Sequence, residues 1–232
     1  MKIVLSTFII FFSILANAND VETVLRKMHS VYNTNDISFK STYTLFKGHF
    51  ETKVHSSYKG YVYKKGTNVY QKINNTEFVY GVNYSLKINN DEKAMVLSGA
   101  QNAVFTNVDL KQVMKECKSS KIVEENGAFL ITFYMNPFSE IPCTFITVKI
   151  DKSNYTLLGL DLYFSSYEDF SEDYESRLLV QPHLRISFND IKLKPSIDNS
   201  LFDFSSYLTD KKSMLTASGK YSGYTVLDYR NK

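Results

Sequence analysis

Apolar side chains recur at every second position along most of this chain, and at every third or fourth position in only two stretches. That pattern predicts a mainly β protein with two helices. In the first helical stretch Val21, Val24, Leu25, Met28, Val31 and Tyr32 share one face. Asn19 caps it, Glu22 completes a capping box, and Asn33 to Asp36 ends it. The second stretch lies between Val104 and Cys117, where Val108, Leu110, Val113, Met114 and Cys117 follow at helical spacing with Asp109 near the start.

Period two begins at Ser38. Phe39, Ser41, Tyr43 and Leu45 fall on one face, and a second strand is expected from Phe50 to Tyr58. The stretch from Lys59 to Ile88 reads as a meander in which Tyr61 and Tyr63 oppose Val62 and Lys64, with a turn at Lys65-Gly66; a short strand from Ala94 to Leu97, holding Met95, follows. Phe129, Ile131 and Phe133 alternate with Leu130 and Tyr134, so that strand is apolar on both faces. Leu158, Leu160, Leu162 and Phe164 make the cleanest apolar face in the chain. Leu178 to Leu193 reads as one long strand with His183 and Arg185 facing out and a bulge near Asn189. Between the last two apolar islands, the polar Thr209 to Gly223 reads as a loop, and Tyr224 to Arg230 as an edge strand.

The first eighteen residues have a different character. Lys2, an apolar run from Ile3 to Leu15 and Ala16-Asn17-Ala18 are the three parts of a secretory signal peptide, so cleavage after Ala18 is expected, with residues 19–232 forming one exported domain. The run is shorter than the roughly 20 residues a spanning helix needs, so an integral membrane protein is not expected.

Composition sharpens this in one respect: 17 Tyr and 17 Phe with no Trp favour strands, and 44% hydrophobic residues are enough for a packed core. The formal net charge of +3 is spread among alternating acids and bases, which argues against nucleic acid as a partner. None of the four histidines has a metal-ligand spacing, and no nucleophile elbow, phosphate loop or zinc motif occurs, so neither an enzyme nor a cofactor is expected. The acidic stretch from Ser165 to Ser176 is a surface loop. Its five acids could offer oxygens to calcium, but their spacing fits no EF-hand. Cys117 and Cys143 are the only cysteines of an exported chain, which makes a disulfide between them the natural pairing and two buried thiols the alternative.

This order of elements resembles the LolA/LolB-like family of periplasmic lipoprotein carriers, in particular its Bacteroidetes-type members. The resemblance is carried by the helix-to-strand entry from Val21 to Phe46, by Lys59-Gly60-Tyr61-Val62-Tyr63-Lys64-Lys65-Gly66, by Phe202-Asp203-Phe204 and by the closing Val226-Leu227-Asp228-Tyr229-Arg230. It implies an incomplete antiparallel barrel of about eleven strands whose open mouth is covered by two or three helices. It also implies a periplasmic location, lipoprotein acyl chains or another lipid as ligand, and carrier-pathway proteins of the inner and outer membranes as partners. A monomer is expected.

Under this resemblance Phe39, Tyr43, Tyr61, Tyr63, Met95, Phe129, Ile131, Phe133, Leu158, Leu160 and Leu162 become candidates to line a lipid cavity, with Val21, Val24, Leu25 and Met28 on the lid helix. The alternative is a binding or structural protein on the same scaffold with a filled core. One departure stands out. The family's lid-latching arginine on an early strand has no counterpart, because lysines occupy that region (Lys40, Lys47, Lys53, Lys59) and no arginine occurs between Arg26 and Arg177.

Overall fold

The structure is a computed structural model that describes residues 13–101, 109–171, 177–211 and 214–230. Its elements are α1 (Ser13–Thr34), β1 (Ile37–Phe46), β2 (Val54–Lys65), β3 (Asn68–Ile73), β4 (Thr76–Tyr80), β5 (Tyr84–Asn89), β6 (Ala94–Gly99), α2 (Leu110–Glu116), β7 (Cys117–Glu125), β8 (Ala128–Met135), β9 (Cys143–Asp151), β10 (Leu157–Phe164), β11 (Glu168–Asp169), β12 (Leu179–Val180), β13 (His183–Leu193), β14 (Leu208–Lys211), β15 (Met214–Ala217) and β16 (Thr225–Asp228). Twelve strands hydrogen-bond in the order β16-β6-β5-β4-β3-β2-β1-β13-β10-β9-β8-β7, so the sheet is not closed. This is the mainly β architecture that the alternation predicts, unclosed as the family resemblance implies. The closing strand lies at an edge as expected, although it pairs with β6 in parallel.

The chain forms two compact units, the first made of Met1–Asn33, Thr44–Ser57 and Asp109–Ser187, the second of Thr34–Tyr43, Tyr58–Val108 and Phe188–Lys232.

In the first unit the registers of β8, β9 and β10 set Phe133 opposite Ile146, Ile131 opposite Val148, and Leu160 and Leu162 opposite Val148 and Ile146. Period two therefore brings these side chains to one face, where Ile131, Phe133, Ile146, Val148, Ile150 and Leu160 have no exposed surface. Helix α1 buries Val21, Val24, Leu25 and Met28 and is tied to the start of β10 and the turn before it: the Leu157 amide donates to the Tyr32 hydroxyl, and Lys27 Nζ donates to the Tyr155 hydroxyl. The helix passes through Asn19 without a break, so in the full chain Asn19 is not a cap. Helix α2 is capped by Asp109, whose side chain accepts from the Lys111 and Gln112 amides, and it buries Val113. Val108 lies outside the described residues.

The opposite face of this unit carries a row of rings. Phe145 stacks on Tyr163 at 3.9 Å between centroids, Tyr163 on His183 at 4.2 Å, and His183 on Phe46 at 5.1 Å. His183 was expected to face solvent, yet it is only 2% exposed, with Nε2 2.7 Å from Asp161 Oδ1. Rings contributed by distant strands cover it. The expected long strand from Leu178 is also broken at Gln181-Pro182, since proline has no N–H to give a ladder; Leu179–Val180 pairs with Glu168–Asp169 instead.

The expected disulfide does not form. Both thiols are free: Cys117 opens β7 and Cys143 opens β9, with β8 hydrogen-bonded between them. Two strand spacings amount to about 9.6 Å, beyond the ~7 Å that a disulfide bridges. Burial pushes the Cys143 thiol up to about 11.

In the second unit the strands present two different faces. An added Cβ on Gly60 would lie 2.6 Å from the Lys72 carbonyl oxygen and 2.9 Å from Ser41 Oγ, so glycine is required where β2 crosses between its neighbours. That contact puts Gly60, Val62 and Lys64 on the same side as Phe39, Ser41 and Tyr43, and leaves Tyr61 and Tyr63 on the other. There Tyr70, Val79, Leu86, Ile88, Met95 and Leu97 form a core with Tyr207, Leu208 and Tyr221 of the C-terminal segment. The region expected as a polar loop is thus part of a cover, made of the β14–β15 hairpin and the short helical turn Gly219–Tyr221 together with the turns Asn199–Phe202 and Phe204–Ser206 that precede it. Glu77 fastens it: its Oε2 accepts from the Tyr70 hydroxyl at 2.6 Å and from the Tyr221 hydroxyl at 2.7 Å.

Candidate functional site

The second unit holds a groove of about 790 Å³ lined by residues of β1, β2, β3 and β13 and of the segment after β13. Three of the eleven cavity candidates reach it: Phe39, Tyr61 and Tyr63. Phe39 is 3% exposed and packs edge-on against Phe188 at 5.3 Å, so the aromatic surface of the groove belongs to the two tyrosines. They are half-buried and fixed against each other, with centroids 5.6 Å apart, and both lie against Tyr70, at 5.9 and 6.4 Å. Because Tyr70 is itself held by Glu77, this cluster is rigid on its inner side.

The rest of the lining is mostly polar, and most of its charged residues are cationic. Lys40, Lys59, Lys72 and Lys192 come from four strands, and Asp190 is the one acid among the lining residues. Asp190 takes a left-handed backbone, φ 52°, at the irregularity expected near Asn189, and its carboxylate lies 2.6 Å from Lys40 Nζ. The hydrogen bond and charge of Lys40 hold the Asp190 carboxyl below its ordinary value, and the same bond raises Lys40. Among the described residues Lys59, Lys72 and Lys192 form no ion pair.

The other candidates lie elsewhere. Tyr43 is buried on the face opposite the tyrosine cluster, where its hydroxyl accepts from Gln71 Nε2 at 3.3 Å. Met95 belongs to the core beneath the C-terminal cover. Phe129, Ile131, Phe133, Leu160 and Leu162 are buried in the first unit, and Leu158 beside them is half-buried. Met95, Ile131, Phe133 and Leu160 have no accessible surface, so no water-sized space touches them. Sequence reasoning missed the contribution of Lys72 and Lys192. Each looks like an ordinary solvated position of its strand, and only the sheet brings them to one groove.

Among the described residues no three histidine, cysteine, aspartate or glutamate side chains gather as a metal site, and no helix is long and apolar enough to cross a membrane. Glu172, Asp173 and Glu175 of the acidic loop lie outside the described residues.

Neither a family model nor a curated protein sequence matches this chain. Solved structures do. An uncharacterized conserved protein from Thermus thermophilus matches over 90% of this chain and 99% of its own, at 8% identity and a TM-score of 0.50, which is a likeness of fold. The LolA superfamily protein NE2245 from Nitrosomonas europaea matches over 80% of this chain and 98% of its own, at 8% identity and a TM-score of 0.36. The lipoprotein LppX from Mycobacterium tuberculosis matches over 78% and 98%, at 9% identity and a TM-score of 0.43.

Proposed function

We propose that this chain is a non-catalytic, exported carrier that binds the acyl chain of a lipoprotein or of another lipid. The observation that carries this reading is the groove itself, a preformed space with two fixed tyrosine rings along it and an open side. Its volume falls within the roughly 300–1,000 Å³ usual for small-ligand sites. Each methylene laid against the rings instead of water contributes up to about 0.8 kcal/mol, so a long chain gains binding energy without any reacting group. The signal-peptide pattern and the LolA-like order of elements support the same reading, with cleavage after Ala18, periplasmic residence and hand-over to membrane-bound partners as its consequences. In this account α1 is a lid that must leave its buried position before the apolar face of the first unit could take a ligand.

A second reading is favoured by one observation. Since Met95, Ile131, Phe133 and Leu160 have no exposed surface, a structural or binding protein with a filled core would look the same in its interior. Native mass spectrometry of protein purified from its own exported compartment separates the two. The carrier releases a lipid mass on solvent extraction and then takes up a long-chain probe; release of nothing, with no uptake of the probe, selects the filled-core reading.

A further inference from the structure

We infer that the groove selects an anionic amphiphile with a single acyl chain, holding its phosphate-class headgroup among Lys59, Lys72 and Lys192 and its chain along Tyr61 and Tyr63. This rests on the acyl-carrier reading above and adds the class of ligand. The first argument is charge. Four lysines against Asp190 give the lining a formal excess of +3, as large as that of the whole 232-residue chain, in which bases and acids otherwise nearly cancel. Asp190 does not neutralise the site, because its carboxylate is already taken by Lys40 at 2.6 Å. Lys72 stands across from Glu77 in the β3–β4 register, but the Glu77 oxygens accept from Tyr70, Tyr221 and Asn90 and lie 3.6 Å from Lys220. Among the described residues Lys59 and Lys72 therefore line the groove without a carboxylate partner, and Lys192 feels the Asp190 charge without pairing with it, so an anion placed among the three replaces like-charge repulsion with attraction.

The second argument is geometry. The lysines are contributed by neighbouring strands, so the sheet fixes their spacing while their stems remain free to close on a headgroup. The rings that flank them are rigid, which places the apolar strip beside the charged one. The third argument is size. At the ~30 Å³ of a water-sized group per methylene, one sixteen-carbon chain takes roughly 480 Å³ of the 790 Å³ present, leaving space for a headgroup but not for a second chain.

The test is calorimetric titration of the exported protein, below micelle concentrations, with lysophosphatidylglycerol, with lysophosphatidylcholine of the same chain length, and with inorganic phosphate. The glycerol form is expected to bind about tenfold more tightly than the choline form in 50 mM salt, and the ratio is expected to shrink in 0.5 M salt as the lysine field is screened. The double substitution Lys72→Gln/Lys192→Gln, with an unchanged melting temperature as the folding control, is expected to bring the glycerol form to within about twofold of the choline form, whose quaternary ammonium already offsets its phosphate and which therefore loses less. Inorganic phosphate is expected to bind about a hundredfold more weakly than the glycerol form. Equal affinity for the two lysolipids, or a double variant that keeps the ratio, overturns the headgroup inference and leaves the acyl-carrier reading in place. Phosphate binding as tightly as lysophosphatidylglycerol overturns the inference in favour of a plain anion site. Failure of both lysolipids to bind removes the acyl-carrier reading itself.

Discussion

Replacing Phe133 with alanine is expected to lower the stability of the protein by about 3–5 kcal/mol, the usual cost of removing a large aromatic side chain from a packed interior. Phe133 has no exposed surface and sits in register with Ile146 across β8 and β9, in a face where Ile131, Val148, Ile150 and Leu160 are equally enclosed. Because backbone ladders on both sides of β8 hold the neighbouring strands, the sheet cannot collapse into the vacated space, and most of the cavity term should be felt. Urea unfolding followed by far-ultraviolet circular dichroism reads the loss as a lower midpoint. The variant that still folds at low temperature should bind lysophosphatidylglycerol as the parent does, since no lining residue of the groove is altered. A loss of under 1 kcal/mol would mean that Phe133 borders open space, as a preformed cavity in the first unit requires.

The second large effect belongs to Glu77. Truncation to alanine removes the acceptor of the Tyr70 and Tyr221 hydroxyls and of Asn90 Nδ2 from a position only 2% exposed. Hydrogen bonds to a charged group contribute roughly 1.5–3 kcal/mol each, and losing the shared acceptor leaves buried hydroxyls unsatisfied, so a loss of about 3 kcal/mol or more is expected. Glu77→Gln should lose less, because an amide oxygen can still accept from both tyrosines, although its NH2 then meets the Asn90 donor. Burial opposes the Glu77 charge, but the hydrogen bonds from Tyr70, Tyr221 and Asn90, with Lys220 nearby, outweigh it and hold the carboxyl below its ordinary value.

A depressed carboxyl stabilises the fold fully above its unfolded value, near 4.3. That contribution is lost as pH falls through the lower folded value. Unfolding midpoints of the parent and of Glu77→Gln should therefore lie apart at pH 7 and converge below about pH 4. A constant gap down to pH 3 would show that the charge of Glu77 does not fasten the C-terminal cover.

What could be read from the sequence, and what could not, follows the range of the interactions involved. Alternation within a strand is local, so β1, the meander from Tyr61 to Tyr80, β8 and β10 were legible, as was the irregularity beside Asn189 that puts Asp190 in a left-handed conformation; the strand expected from Phe50 to Tyr58 instead starts at Val54 and runs on without a break to Lys65. Which face of one strand meets which face of the next is not local. Phe39 and Tyr43 were grouped with Tyr61 and Tyr63, yet the close approach of Gly60 to Ser41 sets them on opposite sides of the sheet. Thr209 to Gly223 read as a loop because its polar residues outnumber the few, widely spaced side chains that anchor it, Tyr221 foremost among them. His183 followed the outward parity of its strand, and nothing near it in sequence announces that Phe46 and Tyr163 will close over it. The cysteine pairing failed for a related reason, since composition cannot show that β8 lies between the two thiols.

The groove changes how the resemblance to lipoprotein carriers applies to this chain. The early-strand lysines that stand where the family resemblance leads one to expect an arginine are not all idle: Lys40 holds Asp190, and Lys59 lines the same space. In the proposed reading the region that would latch a lid is instead part of the ligand site, while α1 is packed on the first unit.

The most direct test of that account is to locate a bound chain. A fatty acid carrying a diazirine near its terminus, photolysed in complex with the exported protein and mapped by peptide mass spectrometry, should label the segments around Tyr61, Tyr63 and Lys72. Labelling confined to the Val21–Met28 and Phe129–Phe133 segments, with none at the two tyrosines, would contradict it.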